Sequence, residues 1–384
     1  MKFLHTADWH VGKTLKGRNR LDEQRAVLGE IIDIALREEV DAVLVAGDLY
    51  DTAAPSAEAQ RLVNSALLKL ASSGIEVVVI AGNHDHARTF EALRQLMAAA
   101  GIEYTGQVRA AEDGGVYRFT ARSTGEDAVV ALVPFVSRRY IVGSEEIVTG
   151  TPSENAGRYE ASVREIIASL ATAFTPETVN IVMAHLTCTG GVMGGGEREA
   201  QSIFEYHVSA QSFPIDAHYV ALGHLHRRQH IPAPAPVHYS GSPIAVDFGE
   251  EENSPVVCLV EATPTTPARV TDIPITTARR LRTVTGSVTQ LKAQAEELGD
   301  AYLRVVVEER TRAGLRDEVL DALPNALEVR IHPDFAQTQP QHVAQNTTRS
   351  PRDLFAAYCE EVGIEDERVT TLFSDLLDET TGVA

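Results

Sequence analysis

Short apolar runs alternate with polar clusters along the first two thirds of the chain. Lys2–Thr6, Ala42–Ala46, Glu76–Ile80, Val179–Ala184 and His218–Leu222 are five such runs, the pattern of strands covered on both faces. Between the first three, Leu28, Ile31, Ile32 and Ala35, then Ala59, Leu62, Val63, Ala66 and Leu70, repeat at helical spacing. The order β-α-β-α-β predicts a partly parallel sheet covered by helices, with ligands at the carboxyl ends of its strands. Leu93, Leu96, Met97 and Ala100 predict a further helix, as do Val163, Ile166, Ile167 and Leu170. Val116–Phe119, Ala128–Phe135, Val237–Ser240 and Val256–Val260 complete a second set of strands.

The Thr/Pro-rich passage Thr263–Pro274 marks a domain boundary. Beyond it, strands over Leu281–Gly286, Tyr302–Val307 and Leu327–Ile331, with helices near Gln290–Leu298 and Leu315–Leu323, predict a small α/β module. A polar linker, Gln337–Arg349, leads to Ser350 as a helix N-cap with Pro351 at the first helical position. Phe355, Tyr358, Cys359 and Val362, then Val369, Leu372, Phe373 and Leu376, make two amphipathic helices whose apolar stripes need a partner, with a second protein favoured over this chain. The expected layout is 1–274, 275–336, a linker at 337–349 and terminal helices at 350–384.

Each of the five runs ends on polar residues: Asp8-Trp9-His10, Gly47-Asp48-Leu49-Tyr50-Asp51, Gly82-Asn83-His84-Asp85, His185, and Gly223-His224-Leu225-His226. In extended chain, positions i and i+2 point the same way, so Asp8 and His10 form one pair and His224 and His226 another. Any one cluster is commonly structural. Together they offer the nitrogen and oxygen donors that two divalent metals about 3.5 to 4 Å apart require, including a carboxylate to bridge them. Asp48 is the natural bridge. Asp8, His10 and His226 would complete one metal's ligands, and Asn83, His185 and His224 the other's. A shared water acidified by coordination would then attack phosphorus in line. His84 is placed to stabilise the resulting phosphorane or protonate the departing oxygen, with Asp85 orienting its ring and Asp51 in support.

Gly12-Lys13-Thr14 is not a phosphate-binding P-loop, because the required earlier glycine is Ala7. Lys13, Lys16, Arg18 and Arg20 form either a cationic rim for a nucleic-acid backbone or a solvated basic turn. The glycine-rich stretch Cys188–Glu197 is either a substrate-contacting mobile loop or an ordinary surface loop. The other histidines, His5, His86, His207, His218, His230, His238, His332 and His342, are read as packing or exposed residues.

A net charge of −20, from 34 basic and 54 acidic residues, argues against coating nucleic acid by bulk charge but leaves room for a local groove. No apolar run approaches the roughly 20 residues of a membrane span, and a strand opens the chain in place of a signal peptide, so a cytoplasmic protein is expected. Cys188, Cys258 and Cys359 lie too far apart for a thiolate metal site.

The series D-x-H, G-D-x-x-D, G-N-H-D, a lone histidine after a strand, and G-H-x-H resembles the calcineurin-like metallophosphoesterase superfamily. Within it, Phe3-Leu4-His5-Thr6-Ala7-Asp8-Trp9-His10, Ala46-Gly47-Asp48-Leu49-Tyr50-Asp51 and Tyr239-Ser240-Gly241-Ser242-Pro243 are similar to the SbcD family of bacterial DNA-repair nucleases. The resemblance implies an α/β sandwich of two mixed β-sheets flanked by helices, a small α/β capping domain and a C-terminal helical hairpin that binds a coiled-coil ATPase of the SbcC type. It also implies a homodimer, two manganese ions, three-prime-to-five-prime exonuclease action on double-stranded DNA and endonuclease action on single strands or hairpins. Two rival readings are a phosphoesterase for small molecules and a scaffold that tethers DNA ends.

Overall fold

The structure is a computed structural model that describes residues 1–137, 152–197, 207–335, 351–362, 364 and 366–381. The predicted linker Gln337–Arg349 and the Ser350 cap lie outside the described residues.

Two six-stranded mixed sheets pack face to face, as the resemblance implied. The first runs β16 (Thr266–Pro274), β15 (Val256–Thr263), β1 (Lys2–Thr6), β4 (Ala42–Ala46), β5 (Glu76–Ile80), β6 (Ile102–Thr105). The last four are parallel, and β15 is antiparallel to both β1 and β16. The second runs β13 (Gln229–Ile231), β14 (Val237–Tyr239), β12 (Tyr219–Gly223), β9 (Val179–His185), β8 (Asp127–Val133), β7 (Val116–Thr120), with four parallel strands between two antiparallel edges.

Alternation along each strand divides the apolar side chains between layers. Ala42, Leu44, Val78 and Ile80 meet Ile181, Met183 and Ala221 between the sheets. Val43, Val45, Val77 and Val79 face helices α1 (Leu21–Arg37), α2 (Ala57–Ser72) and α3 (Ala87–Ala99). On the far side, Val182 and Leu222 pack against Tyr159, Val163 and Ile167 of α4 (Pro152–Ala171). Because both faces of the central strands are covered, their sequences are continuously apolar, and each buried valine contributes about 1.5–3 kcal/mol relative to exposure.

Most of the Thr/Pro-rich passage, read from the sequence as a domain boundary, is β16, which returns along β15 from Thr263↔Thr266 to Val256↔Pro274. As an edge strand it has one solvated side, which accommodates both its polar residues and its prolines. Strand β6, directly after α3, was not predicted; Ile102 and Tyr104 are its buried positions.

The small module is a parallel sheet of β17 (Leu281–Gly286), β18 (Tyr302–Val307) and β19 (Ala326–Ile331), crossed by α5 (Val288–Leu298) and α6 (Leu315–Ala322). Ser287 and Gln290 form a capping box at the start of α5. Leu281 and Tyr302 pack with Leu15, Ala245 and Phe248, so the module rests partly on the hairpin β2 (Thr14–Leu15) and β3 (Arg18–Asn19). A short parallel pair, β10 (Thr187–Cys188) and β11 (His207–Val208), follows β9. The chain divides into compact units Met1–Asp334 and Phe335–Ala384. In the second, α7 (Pro351–Val362) and α8 (Glu367–Thr381) meet through stacked Phe355 and Phe373, their rings 3.9 Å apart. Leu354, Tyr358 and Leu372 are exposed on them. Among the described residues no helix is long and apolar enough to cross a membrane.

Where β4 ends, Gly47 has φ +92° and a side-chain carbon there would run into the His185 ring. Gly29, inside α1, has open space at the same position. Gly47→Ala is therefore expected to destabilise the protein by about 1–2 kcal/mol from backbone strain plus the clash. Gly29→Ala should stabilise it by about 0.5–1 kcal/mol. Urea unfolding of the two variants checks both signs.

Candidate metal centre

The parallel pairing of β1 and β4 continues past the ends of the strands. The amides of Asp8, His10 and Val11 donate to the carbonyls of Gly47, Asp48 and Leu49 at 3.0, 3.0 and 2.9 Å. To keep pairing while turning side chains inward, the backbone enters the left-handed region at Asp8 (φ 54°), His10 (φ 44°) and Asp48 (φ 52°), and on β12's exit at His224 (φ 103°). Strain of this kind concentrates where a fold holds functional groups. Glycines let the loops approach closely: a side-chain carbon at Gly82 would strike Asp48, and one at Gly223 would strike the Ala46 carbonyl.

The result is one buried cluster fed by both sheets. Asp48 Oδ2 lies 3.7 Å from His10 Nε2 and 3.5 Å from His185 Nε2, while its Oδ1 accepts the His84 amide at 2.8 Å. On one side, His10 Nε2 and His226 Nε2 are 3.0 Å apart, and potential donor atoms of Asp8, His10 and His226 lie within 4.8 Å of one another. On the other, Asn83 Oδ1 is 2.9 Å from His185 Nε2 and 2.8 Å from His224 Nδ1. Asp8 also accepts the His224 amide, at 3.0 and 3.2 Å, which ties β1 to β12.

Burial and charge split the titration of these groups. Burial raises Asp8 to about 7 against the pull of His185 and His226. Asp48 is equally buried, but His185, His10 and His84 together hold it well below the usual carboxylate range. Burial works against the charged form of His185, yet Asp48 and Asp8 lift it to about 9. His226 is likewise lifted to about 9, because Glu250 Oε1 lies 2.5 Å from its Nδ1 and outweighs desolvation. Burial, reinforced by neighbouring imidazoles, lowers His10 well below its ordinary value and takes His224 to about 3.

This donor set fits divalent metal ions. His185 and His226 each set Nδ1 against an acceptor, the Ala46 carbonyl at 2.8 Å and Glu250, which aims Nε2 into the cluster as a metal-ligating imidazole requires. With nitrogen and oxygen donors and no thiolate, the chemistry suits manganese, iron or zinc.

All seven predicted ligands, Asp8, His10, Asp48, Asn83, His185, His224 and His226, come together, and His84 joins them with its ring centroid 4.7 Å from that of His10. His84 also falls in a donor group with His10 and Asp48, so proximity alone does not separate ligand from acid. Asp85 does not occupy the predicted place beside the His84 ring. Its carboxylate accepts the amides of Gly82, Tyr50 and Leu49 at 2.9, 3.1 and 3.3 Å, fastening the loop after β5 to the loop after β4. The carbonyl of Asp51, 2.7 Å from His84 Nδ1, sets that ring. A carboxylate one residue along the chain is poorly placed to reach its neighbour's ring, whereas three backbone N–H groups converge on Asp85.

Arg20 is likewise not on a cationic rim. It is buried, pairs with Glu23 at 2.7 Å, donates to the Ala245 carbonyl and lies over the Tyr302 ring. Lys13 reaches Asp51 at 3.2 Å, Lys16 reaches Glu328 at 3.7 Å, and Arg18 is exposed. Two carboxylates went unpredicted. Glu250 holds His226, and Glu197 accepts the His226 amide at 2.9 Å together with those of Gly194 and Gly195. Neither sits in a motif; only contact across the fold reveals them. The glycine-rich stretch is mixed: Gly194 is buried against His226 and Gly195 approaches the Gly249 backbone, while Thr189, Gly190, Val192 and Met193 are exposed.

Comparison with known proteins places the chain among characterised families. Residues 1–228 match the calcineurin-like phosphoesterase family, and residues 277–363 match the type 5 capsule protein repressor C-terminal domain. The chain is 32% identical to the D subunit of the nuclease SbcCD from Bacillus subtilis over 393 residues, covering 98% of this chain and 97% of that protein. It is 36% identical to the Rhodobacter capsulatus protein of the same name, over 65% of this chain and 64% of that protein. The Escherichia coli K12 protein of that name is 29% identical over 78% and 74%.

Before a metal binds, His185 and His226 keep their protons up to about pH 9, so a metal that uses their Nε2 atoms must displace them. Uptake of a divalent cation should release protons below that pH, and apparent affinity should fall about tenfold per pH unit for each proton displaced as the solution is acidified. Calorimetric titration in buffers of different ionisation enthalpy measures the released protons; an affinity that ignores pH would exclude these two nitrogens as ligands.

Proposed function

The chain belongs to the calcineurin-like phosphoesterase family and, within it, to the SbcD family of SbcCD nucleases, and from that premise we propose that it is the nuclease component of a metal-dependent DNA-processing complex. The reaction is hydrolysis of phosphodiester bonds during DNA end processing, as a double-strand exonuclease and a single-strand or hairpin endonuclease. The reading includes manganese as the metal, a homodimer, a cytoplasmic setting, and an SbcC-type ATPase bound through the exposed apolar residues of α7 and α8. The observation that supports it most is the position of Asp48, which belongs both to the donor group of His10 and to that of His185 and His224.

When bound, two divalent ions supply charge stabilisation for an in-line displacement at phosphorus. The rest falls to this chain's own side chains. Asp8, His10 and His226 would hold one ion, Asn83, His185 and His224 the other, with Asp48 close enough to both groups to contribute to each. The Asp51 carbonyl keeps the His84 ring oriented by its Nδ1–H, which leaves Nε2 to steady charge on the phosphoryl group or pass a proton to the departing oxygen. Asp85 acts at one remove, by fixing the loop that carries Asn83 and His84. Lys13, Lys16 and Arg18 are the proposed backbone contacts for DNA; Arg20, buried against Glu23 and Tyr302, is not among them.

Purified protein incubated with end-labelled linear and hairpin DNA should cut in manganese, and Asp48→Asn should abolish cutting. Hydrolysis of a generic phosphodiester dye without any DNA cleavage would instead favour a small-molecule substrate. His84→Ala should keep both metals yet slow cleavage by about 10²–10⁴-fold; loss of bound metal in that variant would make His84 a ligand. Removing the chain from Pro351 onward should spare manganese-dependent cutting of single strands and eliminate ATPase binding in a pull-down.

A further inference from the structure

Glu250 sits on a short turn, Phe248–Glu250, with two different neighbours. On one side its carboxylate is almost wholly buried, with Oε1 2.5 Å from His226 Nδ1 and Oε2 accepting the Val246 amide at 2.8 Å. On the other, Phe248 is buried against Leu281 and Tyr302 of the small module, and the Arg304 guanidinium lies 4.6 Å above its ring. The Thr283 amide of the module donates to Glu251, the next residue, at 2.7 Å. The backbone of Gly249 meets Gly195, whose amide is held by Glu197, and Glu197 in turn accepts the His226 amide. A cavity of about 550 Å³ lined by Ala245, Glu250, Ile275, Arg279 and Leu281 opens beside the turn.

We propose that Glu250 is a positioning residue for the metal centre, holding the His226 ring with Nε2 toward the donor cluster, and that the seating of the small module on Phe248 sets how firmly it does so. A three-residue turn cannot tilt on one side and stay fixed on the other. Movement of β17 and β18 against Phe248 therefore displaces the carboxylate that fixes His226. The module reaches the site by this route through the His226 ring, which belongs to the donor group of Asp8 and His10. The inference rests on the cluster binding metal ions.

The test is calorimetric titration of the full chain with manganese ions alone. Wild type should bind. Glu250→Ala should weaken one binding event about 10–100-fold and leave the other unchanged. Glu250→Gln, which keeps an oxygen to accept the Nδ1 proton, should recover part of the loss and decides the matter should the alanine variant not fold. Arg304→Ala should weaken the same event about two- to fivefold in the wild-type background and have no further effect in a Glu250 variant. Unchanged binding in both Glu250 variants overturns the positioning role, and equal weakening by Arg304→Ala with or without Glu250 overturns the link to the module. A wild type that binds no manganese overturns instead the reading of the site as a metal centre.

Discussion

A carboxylate withdrawn from water must be met by positive charge or by donated hydrogen bonds, and Asp48 is withdrawn almost completely. Its compensation comes from three separate parts of the chain: His10 after β1, the backbone of His84 after β5, and His185 at the end of β9. None of these can retreat without leaving the charge exposed to apolar surroundings. The close approach of the two sheets at this end, with glycines at positions 47, 82 and 223, follows from that demand.

The same demand explains why the fold tolerates an unfavourable backbone. Left-handed conformations at Asp8, His10, Asp48 and His224 cost on the order of 1–2 kcal/mol each. They are retained because the ladder between β1 and β4 runs on into the loops, and because the layer between the sheets, from Phe3 to Val260, is mostly apolar apart from the His5–Tyr219 pair. Stability made in the middle of the sandwich is used at its edge.

Much of this was legible in the residues themselves. Central strands buried on both faces must be continuously apolar, so β4, β5, β9 and β12 stood out, and the polar groups at their ends followed. What escaped were features defined by neighbours rather than by local pattern. The strand over Thr266–Pro274 was hidden in a Thr/Pro-rich composition because an edge strand is solvated on one side. Arg20 looks like its exposed neighbours in sequence, and only the Glu23 carboxylate and the Tyr302 ring make it a buried strut. Glu197 and Glu250 carry no signature, since nothing local distinguishes a surface glutamate from one that holds a histidine. Asp85 was assigned to the wrong neighbour because adjacency in sequence stood in for direction in space.

The Nε2 atoms of His10 and His226 sit 3.0 Å apart although 216 positions separate them along the chain. Bringing such distant segments together requires closing a long loop, and that entropy is recovered only when most of the sandwich has formed. The cluster is therefore an endpoint of folding and cannot serve as a template for it. An ion that binds only the finished cluster draws the equilibrium toward the completed fold by mass action. Retention of bound ions thus reports that the strands feeding the cluster from both sheets have reached their places.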